Sequence, residues 1–178
     1  YAFVMKYFII IMLLVYLVIN LYISGFQLII DKDMRGAITV VPIVAMGYLF
    51  YGIYINHSIW YKLNDLTRFG IYITLIGAVI TVLINVIFIP VYGYMASAWA
   101  HVASYGSMII MSFIFAEKRY KVNYNMKHYI PYFMMAIIMI AFGRYFKYPG
   151  LAAELMINTV LMLIFIGYAQ YKDKFLSV

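Results

Sequence analysis

From Phe69 to Ala116 the chain is almost wholly apolar except at the step Ile89-Pro90-Val91-Tyr92-Gly93. Pro90 lacks a backbone donor and restricts the residue before it, while Gly93 accepts backbone angles that other residues avoid. This pattern predicts two membrane-length helices joined by a tight hairpin. A hydrocarbon core about 30 Å thick needs roughly 20 apolar residues at about 1.5 Å rise each. Six windows of that kind can be drawn, at residues 3–29, 37–60, 68–90, 93–116, 128–146 and 151–170. The expected fold is therefore all-α: a polytopic membrane bundle of six transmembrane helices, treated as a single domain over 1–178. The chain begins Tyr-Ala-Phe-Val, and Lys6 is followed directly by the apolar run from Tyr7 to Tyr22. We expect a C-terminal fragment of a longer membrane protein.

Within the spans the polar positions are few and periodic. Thr74, Gly77, Ala78, Thr81 and Asn85 recur at spacings of three and four, which places them on one helical face. Gly93, Ser97, Ala100, His101 and Ser104 continue the stripe on the returning helix. Small and weakly polar residues let membrane helices approach closely and hydrogen-bond, because lipid supplies no hydrophobic drive for association. The stripe is read in two ways: as a packing seam, or as a seam in which Asn85 and His101 also border a polar pathway. Asn56 and His57 sit near one end of the second span, with Pro42 and Gly47 further along it. Proline in a membrane helix can loosen the hydrogen-bond ladder, so Pro42 is a candidate hinge, as Pro90 and Gly93 are for the hairpin. His57 and His101 are read either as satisfied packing residues or as substrate contacts or protonatable groups. Asn20 in the first span and Asn158 in the last are expected to satisfy helix contacts. Glu154 opens the last span, where a carboxylate complements the positive end of the helix dipole, and Lys6 is expected to snorkel.

Composition narrows the class further. With 67% hydrophobic and 11% charged residues and a mean hydropathy of +0.95, the chain has too little polar surface for a soluble globule. The net charge of +7 is distributed unevenly. If six spans alternate sides, nine of the thirteen Lys and Arg fall on one side, at Lys6, Lys62, Arg68, Lys118, Arg119, Lys121, Lys127, Lys172 and Lys174. The other four are Lys32, Arg35, Arg144 and Lys147. The positive-inside rule then puts both ends of the chain in the cytoplasm and the Ile89–Gly93 hairpin outside. No loop is long enough to carry a separate basic nucleic-acid face. Many of the 20 tyrosines, including Tyr61, Tyr92, Tyr94, Tyr120, Tyr129, Tyr148 and Tyr171, fall near span ends and suit an interfacial belt. The absence of cysteine excludes disulfides and thiolate metal sites.

The chain offers no H-E-x-x-H, no G-x-S-x-G, no Walker A loop and no paired acids inside a span. No catalytic residue, cofactor or metal is expected.

At Tyr48-Leu49-Phe50-Tyr51-Gly52-Ile53-Tyr54-Ile55-Asn56, and again at Ile89-Pro90-Val91-Tyr92-Gly93-Tyr94-Met95-Ala96-Ser97-Ala98-Trp99-Ala100, the chain resembles polysaccharide biosynthesis flippases. These belong to the multidrug/oligosaccharidyl-lipid/polysaccharide exporter superfamily, whose hairpin often reads I-P-x-x-G-x-x-G-A-A-x-A-T. Here Ala96 and Ser97 replace the second glycine and first alanine, and His101 stands where threonine is common. The resemblance covers about residues 37–120. It implies the last six helices of a two-lobed carrier in a bacterial inner membrane, whose N-terminal lobe lies outside this chain. It further implies a non-enzymatic flippase that exports an undecaprenyl-diphosphate-linked oligosaccharide, with that lipid-linked oligosaccharide, the missing lobe and the bilayer as partners and no nucleic acid. Three alternatives stand beside it: a multidrug cation exporter of the same superfamily, which would need a cavity carboxylate, a membrane-embedded glycan-modifying enzyme using His57 or His101, and a purely structural membrane subunit.

Overall fold

The structure, a computed structural model, describes residues 2–119, 128–146 and 150–173. The expected loop residues Tyr120, Lys121 and Lys127, together with Lys147, Tyr148 and Lys174, lie outside them. All regular structure among the described residues is helical. In chain order it comprises α1 (Ala2–Leu21), α2 (Ile23–Ile29), a 3-10 segment (Lys32–Val40), α3 (Val41–His57), α4 (Ile59–Leu63), α5 (Arg68–Tyr92), α6 (Tyr94–Arg119), α7 (Ile130–Tyr145) and α8 (Leu151–Asp173).

Among the described residues, five apolar stretches are long enough to cross a bilayer: Val4–Leu21, Arg35–Leu63, Arg68–Tyr92, Tyr94–Ala116 and Leu151–Asp173. The sixth expected span is shorter. α7 has 16 residues, or about 24 Å at roughly 1.5 Å per residue, which falls short of a core about 30 Å thick. Pro131 sits in its first turn, where its missing N–H costs no helical bond, and Phe146 turns to extended backbone at its end. The chain is thus a helical membrane bundle with five full-length candidate spans and one short helix. Its first expected span is also divided, because the helix breaks at Tyr22 between α1 and α2.

Two compact units divide the chain, one of Tyr1–Met5 and Ile43–Tyr124, the other of Lys6–Pro42 and Asn125–Val178. The first is built on the hairpin. α5 and α6 pack along their length, with Phe69 5.4 Å from Phe115 between ring centroids and the Ser104 hydroxyl donating to the Gly77 carbonyl at 2.8 Å. The turn is a single residue. Gly93 has φ +59° and ψ −144°, backbone angles at which a side chain is strained, and its N–H donates to the Ile89 carbonyl at 2.8 Å. Pro90 lies inside the last turn of α5.

The seam on α6 is Ala96, Ala100, Ser104, Met108, Ser112 and Ala116, all buried at a spacing of four. Opposite it, α5 buries Ile73 and Gly77, whereas Thr74 and Ala78 are exposed. Thr74 and Thr81 bond back to the carbonyls of Gly70 and Gly77, four residues earlier on their own helix. The expected stripe is therefore narrower on α5 and shifted on α6. Only 11% of the α5 window is buried within the protein, so the exposed Ile71, Leu75, Val79, Val82 and Val86 need an apolar solvent. Beneath the α3–α4 break lies an aromatic core of Tyr54, Trp60, Tyr61, Ile73 and Met108, with Phe69 and Phe115 packed against it.

In the second unit α1 runs antiparallel to α8, as Leu21 meets Asn158 and Lys6 meets Asp173. α7 packs on α8 through Tyr132, whose ring lies 6.1 Å from Phe165 and 5.3 Å from Tyr168.

Candidate polar sites at the two ends of the second unit

At one end of this unit the starts of α1 and α7 meet the end of α8, and Asp173 is the hub. Its side chain is 6% exposed. Lys6 Nζ lies 3.1 Å from Oδ1, and His128 Nε2 lies 3.0 Å from both carboxylate oxygens. The Tyr132 hydroxyl donates to Oδ2. Tyr7 donates to the Asp173 main-chain carbonyl at 3.2 Å. Lys172 donates to the His128 carbonyl at 3.3 Å and lies 4.9 Å from the Tyr132 ring centroid. A carboxylate at the end of a membrane helix is costly to desolvate unless donors surround it. Here α1 supplies Lys6, α7 supplies Tyr132 and the turn before α7 supplies His128, so the cluster ties α1 and α7 to the end of α8.

The other end holds a pocket of about 300 Å³ lined by Asn20, Leu21, Ile23, Ser24, Gly143, Arg144, Phe146 and Glu154. It forms where α1 breaks, α7 ends and α8 begins. Ser24 donates to Glu154 Oε1 at 2.6 Å, and Asn20 Nδ2 donates to the Tyr16 carbonyl at 2.8 Å. Arg144 is exposed and makes no ion pair with Glu154. Behind the pocket, Asn158 is 1% exposed and donates through Nδ2 to the Leu21 carbonyl at 2.6 Å. That bond serves the last residue of α1 at the helix break. Its Oδ1 has no partner among the described residues. A Cβ on Gly143 would stand 3.3 Å from that oxygen and 2.7 Å from Leu21 Cδ2, so glycine is what lets α7 approach here.

Of the residues singled out in the sequence, Asn20 lines this pocket, and so does Glu154, which was expected only to complement the start of its helix. His57 is fully buried in the first unit. Its Nδ1 lies 2.8 Å from Ser112 Oγ, which also accepts the Trp60 indole N–H at 3.1 Å, and its ring packs 3.9 Å from Phe113. His101 is half-buried, 6.1 Å from Tyr48 and 5.2 Å from Tyr105 between ring centroids, on the side of α6 that touches Gly47. Ser112 follows His101 by eleven residues, about 16 Å along α6 at roughly 1.5 Å per residue, so the two histidines are not brought together. Asn56 is half-buried beside His57. Asn85 is half-buried on α5, and its Oδ1 has no partner among the described residues. Pro42 is buried in the first turn of α3, just past the 3-10 segment. There its missing N–H leaves no helical bond broken.

The Asp173 cluster and the position of Arg144 at the pocket were not anticipated. One signal for the cluster was present: Lys6, His128 and Asp173 each lie at the same end of a span when six spans alternate. Which of those ends are neighbours is decided by packing alone. Among the described residues no group of three or more His, Cys, Asp or Glu could hold a metal ion. Another cavity, apolar and about 360 Å³, lies beside the hairpin between Phe88, Tyr92, Met95 and Trp99. No protein-family model, curated protein or solved structure matches this chain.

Proposed function

We propose that the chain is the C-terminal lobe of a non-enzymatic exporter that moves a lipid-linked oligosaccharide, carried on undecaprenyl diphosphate, across a bacterial inner membrane. The observation that carries this reading is the Ile-Pro-x-x-Gly hairpin with small residues following it, at Ile89 to Ala100. The structural form of that segment supports it: a one-residue turn at Gly93, then a close seam through Ala96, Ala100 and Ser104. With α7 counted as a sixth crossing, the nine-to-four distribution of Lys and Arg supports cytoplasmic ends. In this mechanism two lobes rock about a polar cavity while the lipid tail stays in the bilayer. Expressing the complete protein in cells that lack their own flippase tests it. Surface polysaccharide should return, and failure to return despite normal membrane abundance would sink the proposal.

One observation favours a second reading, export of a lipophilic cation. Glu154 is a carboxylate lining a polar pocket. On that reading, cells gain resistance to such cations and Glu154→Gln abolishes it, whereas the flippase reading predicts no resistance phenotype.

A further inference from the structure

The pocket at the α1 break carries opposite charges that do not neutralise each other. Arg144 and Glu154 both line it, yet the ion pairs among the described residues are those of Asp173. Glu154 is instead oriented by the Ser24 hydroxyl at 2.6 Å, and no hydrogen bond engages the Arg144 side chain among the described residues. Two opposite charges lining one cavity, and not spent on each other, offer complementary contacts to a ligand that bears both signs.

Depth in the membrane narrows what that can be. The apolar stretch Val4–Leu21 ends at this pocket, α7 ends at Tyr145, and the stretch Leu151–Asp173 begins here. Two candidate spans and the short apolar helix α7 change to polar residues at one level, which is where phospholipid headgroups lie. A cavity of about 300 Å³ is at the small end of ligand sites. It suits a headgroup and is too small for an oligosaccharide. The guanidinium matches a phosphodiester with a two-pronged, charge-assisted contact. The carboxylate matches a primary ammonium, which can donate hydrogen bonds, better than a quaternary one, which cannot.

We infer that this pocket is a binding site for a zwitterionic phospholipid headgroup of the phosphoethanolamine type, with its phosphate on Arg144 and its ammonium on Glu154. The lipid's acyl chains then lie along the apolar faces of α7 and α8, where Ile137, Ile138, Met156 and Val160 are exposed. The inference does not rest on the oligosaccharide-export reading. It gives the short helix α7 a fixed lipid at its end.

Native mass spectrometry of the purified protein, titrated with phosphatidylethanolamine, phosphatidylcholine and phosphatidylglycerol of identical acyl chains, tests the assignment. Phosphatidylethanolamine should bind at least about tenfold more tightly than either, the scale of one charge-assisted bond. Arg144→Ala should remove that preference, and because Arg144 is exposed and unbonded the variant should keep the parent's melting temperature. Glu154→Gln should bring phosphatidylethanolamine and phosphatidylcholine to equal affinity. Soluble phosphoethanolamine serves as the second arm: competition by it in the millimolar range shows that the headgroup is what is recognised. Equal binding of the three lipids, a preference for phosphatidylglycerol, a preference that survives Arg144→Ala, or no competition by phosphoethanolamine would each overturn the inference. Transport need not be measured, so failure here leaves the oligosaccharide-export reading intact.

Discussion

Two glycines show how different physical causes select the same residue. At Gly70 the constraint is space: a Cβ would stand 2.9 Å from Tyr61 Cε2. The Tyr61 ring cannot easily yield, because its hydroxyl lies 3.0 Å from that of Tyr54 and its ring packs 5.3 Å from Trp60 between centroids. At Gly93 nothing lies within 4 Å of a Cβ, and the constraint is the backbone, with φ at +59°. Gly70→Ala should cost about 1–3 kcal/mol by overpacking, and Gly93→Ala about 1–3 kcal/mol by backbone strain. Thermal unfolding in detergent of both variants, each alone and combined with Tyr61→Leu, separates the causes. The flexible leucine should relieve Gly70→Ala and leave Gly93→Ala unrelieved. Asn20 belongs to this scale too. It was legible as a polar residue in a span, but that it lines a pocket follows only from the break at Tyr22 beside it.

Helix packing in the hairpin turns on volume more than on hydrogen bonding. The Ser104 hydroxyl reaches the Gly77 carbonyl at 2.8 Å, but that carbonyl also receives Thr81 Oγ1 at 3.0 Å. Interhelical hydrogen bonds in membranes average about 0.6 kcal/mol, and here the acceptor keeps a second donor. Ala100 is fully buried in the same seam. Ala100→Leu should therefore destabilise by about 1–3 kcal/mol, several times the effect of Ser104→Ala, as unfolding measurements on the two variants would show. Equal losses would mean that the hydroxyl, and not the spacing of the helices, holds the pair. The hairpin itself was readable in advance because a proline and a glycine interrupt an otherwise apolar run. The shift of its seam to Ala96, Ala100, Ser104, Met108, Ser112 and Ala116 was not, because small residues occur on more than one face of α6 and only the partner selects among them.

Within the second unit, the Asp173 cluster should matter more to stability than any single apolar contact. Asp173→Ala leaves the Lys6 and His128 nitrogens without their carboxylate. Because those two side chains are 21% and 29% exposed, water offsets part of the loss, and about 1–3 kcal/mol is expected. Asp173→Asn retains an oxygen for Tyr132 and should lose less, a ranking that thermal unfolding checks. Topology across the membrane has its own test. The chain has no cysteine, so a single introduced thiol can be labelled without background. Val91→Cys, at a position 71% exposed beside the hairpin, should react with a membrane-impermeant reagent in intact cells. Asp65→Cys, in the turn before α5, should react only after permeabilisation. The reverse pattern would invert the orientation drawn from the charge count.

Much of this molecule was determined by its sequence alone: an all-helical membrane protein, the approximate position of its five long apolar helices, and the tight turn at Gly93. These follow from local quantities, namely the length of apolar runs and the backbone limits of proline and glycine, which need no knowledge of neighbours. Tertiary structure alone decided the rest. It joined Lys6, His128 and Asp173, which lie far apart in the chain. It left α7 too short to match the other spans, and it set Arg144 and Glu154 around one cavity without pairing them. In lipid every apolar face is equally content to meet a neighbour or a hydrocarbon tail, so hydrophobic pattern cannot say which faces pack. The few polar groups and the closest-fitting small residues make that choice, and they do so only when the helices are already side by side.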